Sequence, residues 1–154
     1  MLKSRVLTAA ITGALALGLT ACEKPNPGVT VWSGTHSEHR EAVCWTTEAA
    51  ITPENCAQEI VASALNDTKV GTIEVASEQT IGISVDPEVA KLGWYVGIAG
   101  QRFNEAAIYE TYYRFTFPRV AVPESGFDLQ VIAQGKGNAT RGIWVFKLVN
   151  ATSE

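Results

Sequence analysis

The sequence predicts an immunoglobulin-like antiparallel β-sandwich of about seven to eight strands with one short helix, and a closed β-barrel is the alternative. Three observations carry this expectation. Strand-length runs with β-branched or aromatic residues at every second position recur at short intervals along the chain. Gly, Pro, Asn, Asp and Ser separate them, as turns require. Only one longer segment has its apolar residues at helical spacing.

The runs follow in order. Val29 to Ser33 alternates, and Arg40 to Trp45 comes after the polar stretch Gly34-Thr35-His36-Ser37, which reads as a turn. Thr52-Pro53-Glu54 fits a helix start, with Thr52 as N-cap and Pro53 in the first helical position. Cys56, Ile60 and Ala64 then fall four apart, with Val61 and Leu65 beside them, and Asn66-Asp67 ends the helix. Thr72 to Val75 and Thr80 to Val85 are strands divided by Ser77-Glu78-Gln79. Asp86 to Ala90 reads as a second, shorter helix. Gly93 to Ala99, Ile108 to Phe117, Phe127 to Ala133 and Ile143 to Val149 complete the strands. In "TYYRFTFP", Tyr113, Phe115 and Phe117 share a core face, while Tyr112, Arg114 and Thr116 share the other. Tyr112 and Arg114 therefore form a candidate binding face, since Tyr and Arg are enriched at interfaces.

The N-terminus indicates an address. Lys3 and Arg5 precede an uncharged run from Val6 to Leu19. That run is shorter than the roughly 20 residues a membrane-spanning helix needs, and it has the flanks of a signal peptide. Leu19-Thr20-Ala21-Cys22 resembles the lipobox of bacterial lipoproteins, in which the cysteine sulfur receives a diacylglyceryl group and becomes the first mature residue. The resemblance implies residues 1–21 as signal peptide, lipid-bearing Cys22 opening a proline-broken tether over 22–28, a sandwich over 29–150 and a tail over 151–154. Two or more acyl chains hold a protein stably at a membrane, where one holds it marginally. Removing residues 1–21 takes Lys3 and Arg5 with it, moving the formal charge from −4 to −6 and leaving 133 residues, one domain of ordinary size. That balance argues against nucleic acid as a partner. Export implies an oxidising compartment, so Cys44 and Cys56 are expected to bridge, pinning the helix start to an early strand.

The stretches "VTVWSGTHS", "AVCW", "TIGISVDPEVAKLGW", "TYYRFTFP" and "TRGIWVFKLV" resemble a group of actinobacterial membrane-anchored lipoproteins without an assigned activity. The resemblance spans nearly the whole domain. It implies export and attachment to the outer face of the cytoplasmic membrane, and it implies no chemistry.

Catalytic and metal-binding patterns are thin. His36-Ser37-Glu38-His39 holds the one local set of metal-ligand types, suited to Zn²⁺ or Cu²⁺. In an extended segment His36 and Glu38 would face one side and His39 the other. Met1 is the sole methionine, so the mature chain offers Cu⁺ no thioether. Neither a G-x-S-x-G turn nor a G-x-G-x-x-G or P-loop motif is present, and the P-C-x-x-C half of a zinc deaminase signature is missing. Asp86, Glu105 and Glu110 are candidate acids only for a hydrolase whose carboxylates come from separate strands. The asparagines Asn66, Asn138 and Asn150 open glycosylation sequons, against whose use the bacterial lipobox argues. The expected protein is therefore a non-enzymatic binding or assembly module without a cofactor. A metal-binding lipoprotein using His36, Glu38 and His39, or a small cell-envelope hydrolase, stands as the alternative.

Overall fold

The computed structural model describes residues 24–151, so the signal segment, Cys22 and the last three residues lie outside the described residues. Ten strands and two α-helices run in the order β1 (Gly28–Ser33), β2 (His36–Glu41), β3 (Cys44–Trp45), α1 (Gln58–Leu65), β4 (Gly71–Val75), β5 (Thr80–Val85), α2 (Pro87–Leu92), β6 (Trp94–Ile98), β7 (Gln101–Arg102), β8 (Tyr112–Thr116), β9 (Phe127–Gln134) and β10 (Thr140–Asn150). The strands form an immunoglobulin-like sandwich rather than a barrel. One sheet has the order β2-β1-β5-β8, and the other runs β3-β10-β9-β6-β7 with β4 also paired to β10. All pairings are antiparallel except β4 with β10, where Ile73 lies opposite Leu148.

The period of two in the sequence sorts residues to the two faces. Val29, Val31, Ile81 and Ile83 point inward from the first sheet, and Ile73, Val96, Leu129, Val131, Phe146 and Leu148 from the second; all are fully buried. Each such side chain contributes about 1.5–3 kcal/mol relative to exposure. Trp94 and Trp144 are fully buried among them. Their indole N–H groups donate to the carbonyls of Glu110 and Pro27 respectively, which satisfies the polar end of each ring. Trp32 and Trp45 are half-buried, so only two of the four tryptophans occupy the centre of the core.

Several expectations need correction. His36-Ser37-Glu38-His39 is strand, not turn: only Gly34 and Thr35 reverse the chain, with Gly34 at φ 56°. Arg40 to Trp45 is not one strand, because the chain leaves the first sheet after Glu41 and joins the second at Cys44. Thr52 does not cap the helix. Asn55 and Cys56 N–H groups both donate to the Thr52 carbonyl, closing an isolated turn, and α1 begins at Gln58. Ile60 is 48 % exposed, whereas Val61, Ala64 and Leu65 form the inward face. The run from Ile108 shortens to Tyr112–Thr116, with Ile108 forming a lone bridge to Trp94.

Other readings hold. The Cys44–Cys56 disulfide is present, with Cα atoms 6.0 Å apart, and it fastens the turn before α1 to β3. Asn66 ends α1, its side-chain amide donating to the Ala62 carbonyl. Pro87 opens α2, and Gly93 ends it at φ 83°, a conformation that glycine adopts without steric cost. Among the described residues no helix is long and apolar enough to cross a membrane.

Candidate functional site

The outer face of the β2-β1-β5-β8 sheet brings together residues that the sequence lists far apart. Strand register fixes two rows across it. The first is Ser37, Trp32, Gly82 and Arg114; the second is His39, Thr30, Ser84 and Tyr112. Opposed residues in such rows stand close enough to touch, and neighbouring rows lie within reach of aromatic side chains.

Gly82 shapes the middle of this face. A Cβ placed there would sit 2.2 Å from the Trp32 ring, so the indole lies across the glycine, toward the strand that carries Arg114. The same arrangement recurs at Gly28, where a Cβ would stand 2.3 Å from the His39 ring. Two rings thus fill the space above two glycines on one face. The Thr30 hydroxyl hydrogen-bonds His39 Nδ1 at 2.9 Å and steadies that ring. Tyr112 is 42 % exposed and Arg114 is exposed. Among the described residues Arg114 makes no ion pair, so its guanidinium is available to an external acceptor. The face combines the aromatic rings of Trp32, His39 and Tyr112 with the donors of Arg114.

The histidine cluster divides. His36, Glu38 and Arg40 lie on the inner side of β2, opposite Ser33, Val31 and Val29, while His39 is on the outer side. His36 Nδ1 lies 3.7 Å from the Glu74 carboxylate, and Glu38 pairs with Arg40 at 2.8 Å. Those three predicted ligands therefore do not converge. The candidate acids are also dispersed: Asp86 accepts the Gly28 N–H, Glu110 accepts the Tyr109 N–H, and Glu105 is exposed on the loop after β7. The Thr52 hydroxyl and its own backbone N–H hold the Glu54 carboxyl below the usual range. This is a turn contact rather than a tuned acid.

Two concavities were not anticipated. A cleft of about 600 Å³ lies between residues 24–27, Trp45 with the loop of Thr46 to Ala49, and Glu88. It holds two acids, Glu48 and Glu88, but Glu88 is ion-paired with Lys24. At the opposite pole, an apolar groove of about 390 Å³ is lined by Ile98, Phe103, Phe117, Val120 and Phe127. The sequence signalled neither, since each joins segments whose proximity only strand pairing reveals.

No family model and no curated protein matches the chain. Among solved structures it is similar to the fibronectin(III)-like modules of Clostridium thermocellum CbhA, with a TM-score of 0.40 and 12 % identity. That match covers 56 % of this chain and 94 % of the other. Nothing about a ligand or a partner follows from that likeness.

Proposed function

We propose that this protein is an exported, lipid-anchored binding or assembly module without catalytic activity, and that it engages its partner through the outer face carrying Trp32, His39, Tyr112 and Arg114. The observation that carries the binding reading is the Trp32 indole laid across Gly82 on the sheet face that also presents exposed Tyr112 and Arg114. Tyr, Trp and Arg dominate binding energy where they cluster, because they bring large contact areas and directional donors at low entropic cost. Support for the anchor is the Leu19-Thr20-Ala21-Cys22 motif at the end of a signal-like segment. The lipid attached to Cys22 would hold the domain on the outer face of the cytoplasmic membrane.

Each half has its own test. Replacing Cys22 with Ser is expected to move the protein from the membrane fraction to the soluble fraction; retention in membranes would end the lipid reading. A Tyr112→Ala/Arg114→Ala double variant is expected to fold normally and to lose its cross-linked envelope partners in intact cells. Partners captured at unchanged yield would remove this face as the site.

A further inference from the structure

Residues 24–27 have no regular structure, as their prolines dictate, yet this segment is tied to the sandwich at its two ends. The Trp144 indole donates to the Pro27 carbonyl at 2.8 Å, and that bond is buried. The Gly28 N–H donates to the Asp86 carboxylate at 2.7 Å, and the Asp86 N–H returns a bond to the Gly28 carbonyl at 3.1 Å. Lys24 pairs with Glu88 in the first turn of α2. The buried Trp144–Pro27 bond fixes the strap where it enters β1, and the exposed Lys24–Glu88 pair adds a weaker tie at its other end, so that swivelling is restrained.

Its position selects one pole of the sandwich. Here β1 begins, β5 ends and β6 begins, with α2 between the last two and the loop of Thr46 to Ala49 across the cleft. Gly34 and the Ser77–Glu78 turn lie at the other ends of β1 and β5. A strand rises about 3.3 Å per residue, so the six residues of β1 carry the chain nearly 20 Å from the strapped pole. Cys22 stands two residues before Lys24, and extended chain reaches at most about 3.6 Å per residue. A lipid on its sulfur would therefore enter the bilayer within roughly a nanometre of Lys24.

We propose that the docked strap sets a fixed pose at a phospholipid surface, with α2 and the Thr46–Ala49 loop facing the headgroups and the strands standing upright. This rests on the lipidation of Cys22 proposed above. The cleft itself is not built to hold anionic headgroups: Glu48 and Glu88 line it, and its one cation, Lys24, is already paired, while the exposed Lys91 of α2 and Lys136 of the β9–β10 turn stand elsewhere at this pole. Covalent chain length and the strap bonds set the pose on a neutral phosphatidylcholine surface. Upright strands turn the Trp32–Arg114 face sideways, toward neighbours in the same membrane rather than toward the bilayer.

The test uses the full lipidated chain in phosphatidylcholine vesicles containing headgroup spin-labelled lipid. With Cys44 and Cys56 bridged and Cys22 acylated, one introduced thiol can be dye-labelled, at Ala49→Cys near the strapped pole or at Ser77→Cys at the far pole. Both positions are exposed. Quenching is expected to be several-fold stronger at position 49. Adding Trp144→Phe, or Glu88→Gln should the first variant fold poorly, is expected to shrink that difference. Equal quenching in protein that co-floats with vesicles would overturn the pose alone. Protein that fails to co-float would overturn the lipid anchor, and the pose with it.

Discussion

Replacing Trp144 with Ala is expected to destabilise the domain by about 3–5 kcal/mol, the range for removing a buried tryptophan from a core. The ring is fully buried on the inner face of β10, opposite Val131 of β9, and stands 5.8 Å from the Trp45 ring. Alanine leaves a cavity bordered by two sheets that cannot collapse without breaking their register. It also orphans the Pro27 carbonyl, a buried acceptor whose loss of its donor costs about 1–3 kcal/mol by itself. Thermal unfolding followed by circular dichroism would read this as a fall of roughly 10–20 °C in Tm. Phenylalanine at the same position keeps most of the volume and loses the N–H, so its smaller fall isolates the bond to the strap. A Trp144→Ala protein melting within a few degrees of the parent would mean that the two sheets are not held together at this ring.

Removing the Cys44–Cys56 bridge is the second large effect. The bond closes a loop with a sequence separation of 12. Confining the unfolded chain to such a loop stabilises the fold by about 3 kcal/mol in the chain-entropy account. A Cys44→Ser/Cys56→Ser double variant is expected to lose close to that amount in urea unfolding, with an unchanged far-ultraviolet spectrum at low urea. The loss should be local first. The stretch between the cysteines is held at its edges by the Val43, Thr46 and Ile51 N–H bonds to β10 and by the Arg141 guanidinium on the Thr46 carbonyl. The Thr52–Cys56 turn itself has little else to hold it. Hydrogen exchange is therefore expected to accelerate at Asn55 and Cys56 more than along β10, and uniform acceleration would contradict this ranking.

Two of the strands that sequence alone placed most closely have one apolar and one polar face. Val29 to Ser33 and Thr80 to Val85 carry β-branched residues at alternate positions, and both were placed to within a residue. His36 to Glu41 escaped because both of its faces are polar. It is an edge strand whose inner row is His36, Glu38 and Arg40, so no alternation of hydrophobicity marks it. The misplaced start of α1 has a different cause. Thr52-Pro53-Glu54 satisfies every local preference of a helix start, yet the bridge at Cys56 and the hydroxyl of Thr52 on Glu54 close a separate turn there. The outward Ile60 follows from the same shift, since α1 presents Val61, Ala64 and Leu65 inward instead.

Half of the candidate site was readable. Alternation within "TYYRFTFP" placed Tyr112 and Arg114 on an outer face, as the structure has them. It gave no hint that Trp32 and His39 share that face, because strands β1, β5 and β8 are brought together by pairings separated by about fifty and thirty residues in the chain. A tryptophan opposite a glycine is meaningful only once the register is known. The cleft beside the strap is a product of the fold in the same sense, joining Lys24 to Glu88 and Trp45.

Edge strand β2 has a consequence for sheet growth. A free sheet edge offers unpaired backbone groups to which another chain can add, and such addition can propagate. A second chain adding beside β2 would have to extend the inner face past His36, Glu38 and Arg40, where its own apolar side chains would meet paired charges instead of a core. Burying those charges without new partners would cost more than the added backbone bonds return. The row that hid this strand from hydrophobic patterning thereby blocks growth of the sheet at the β2 edge.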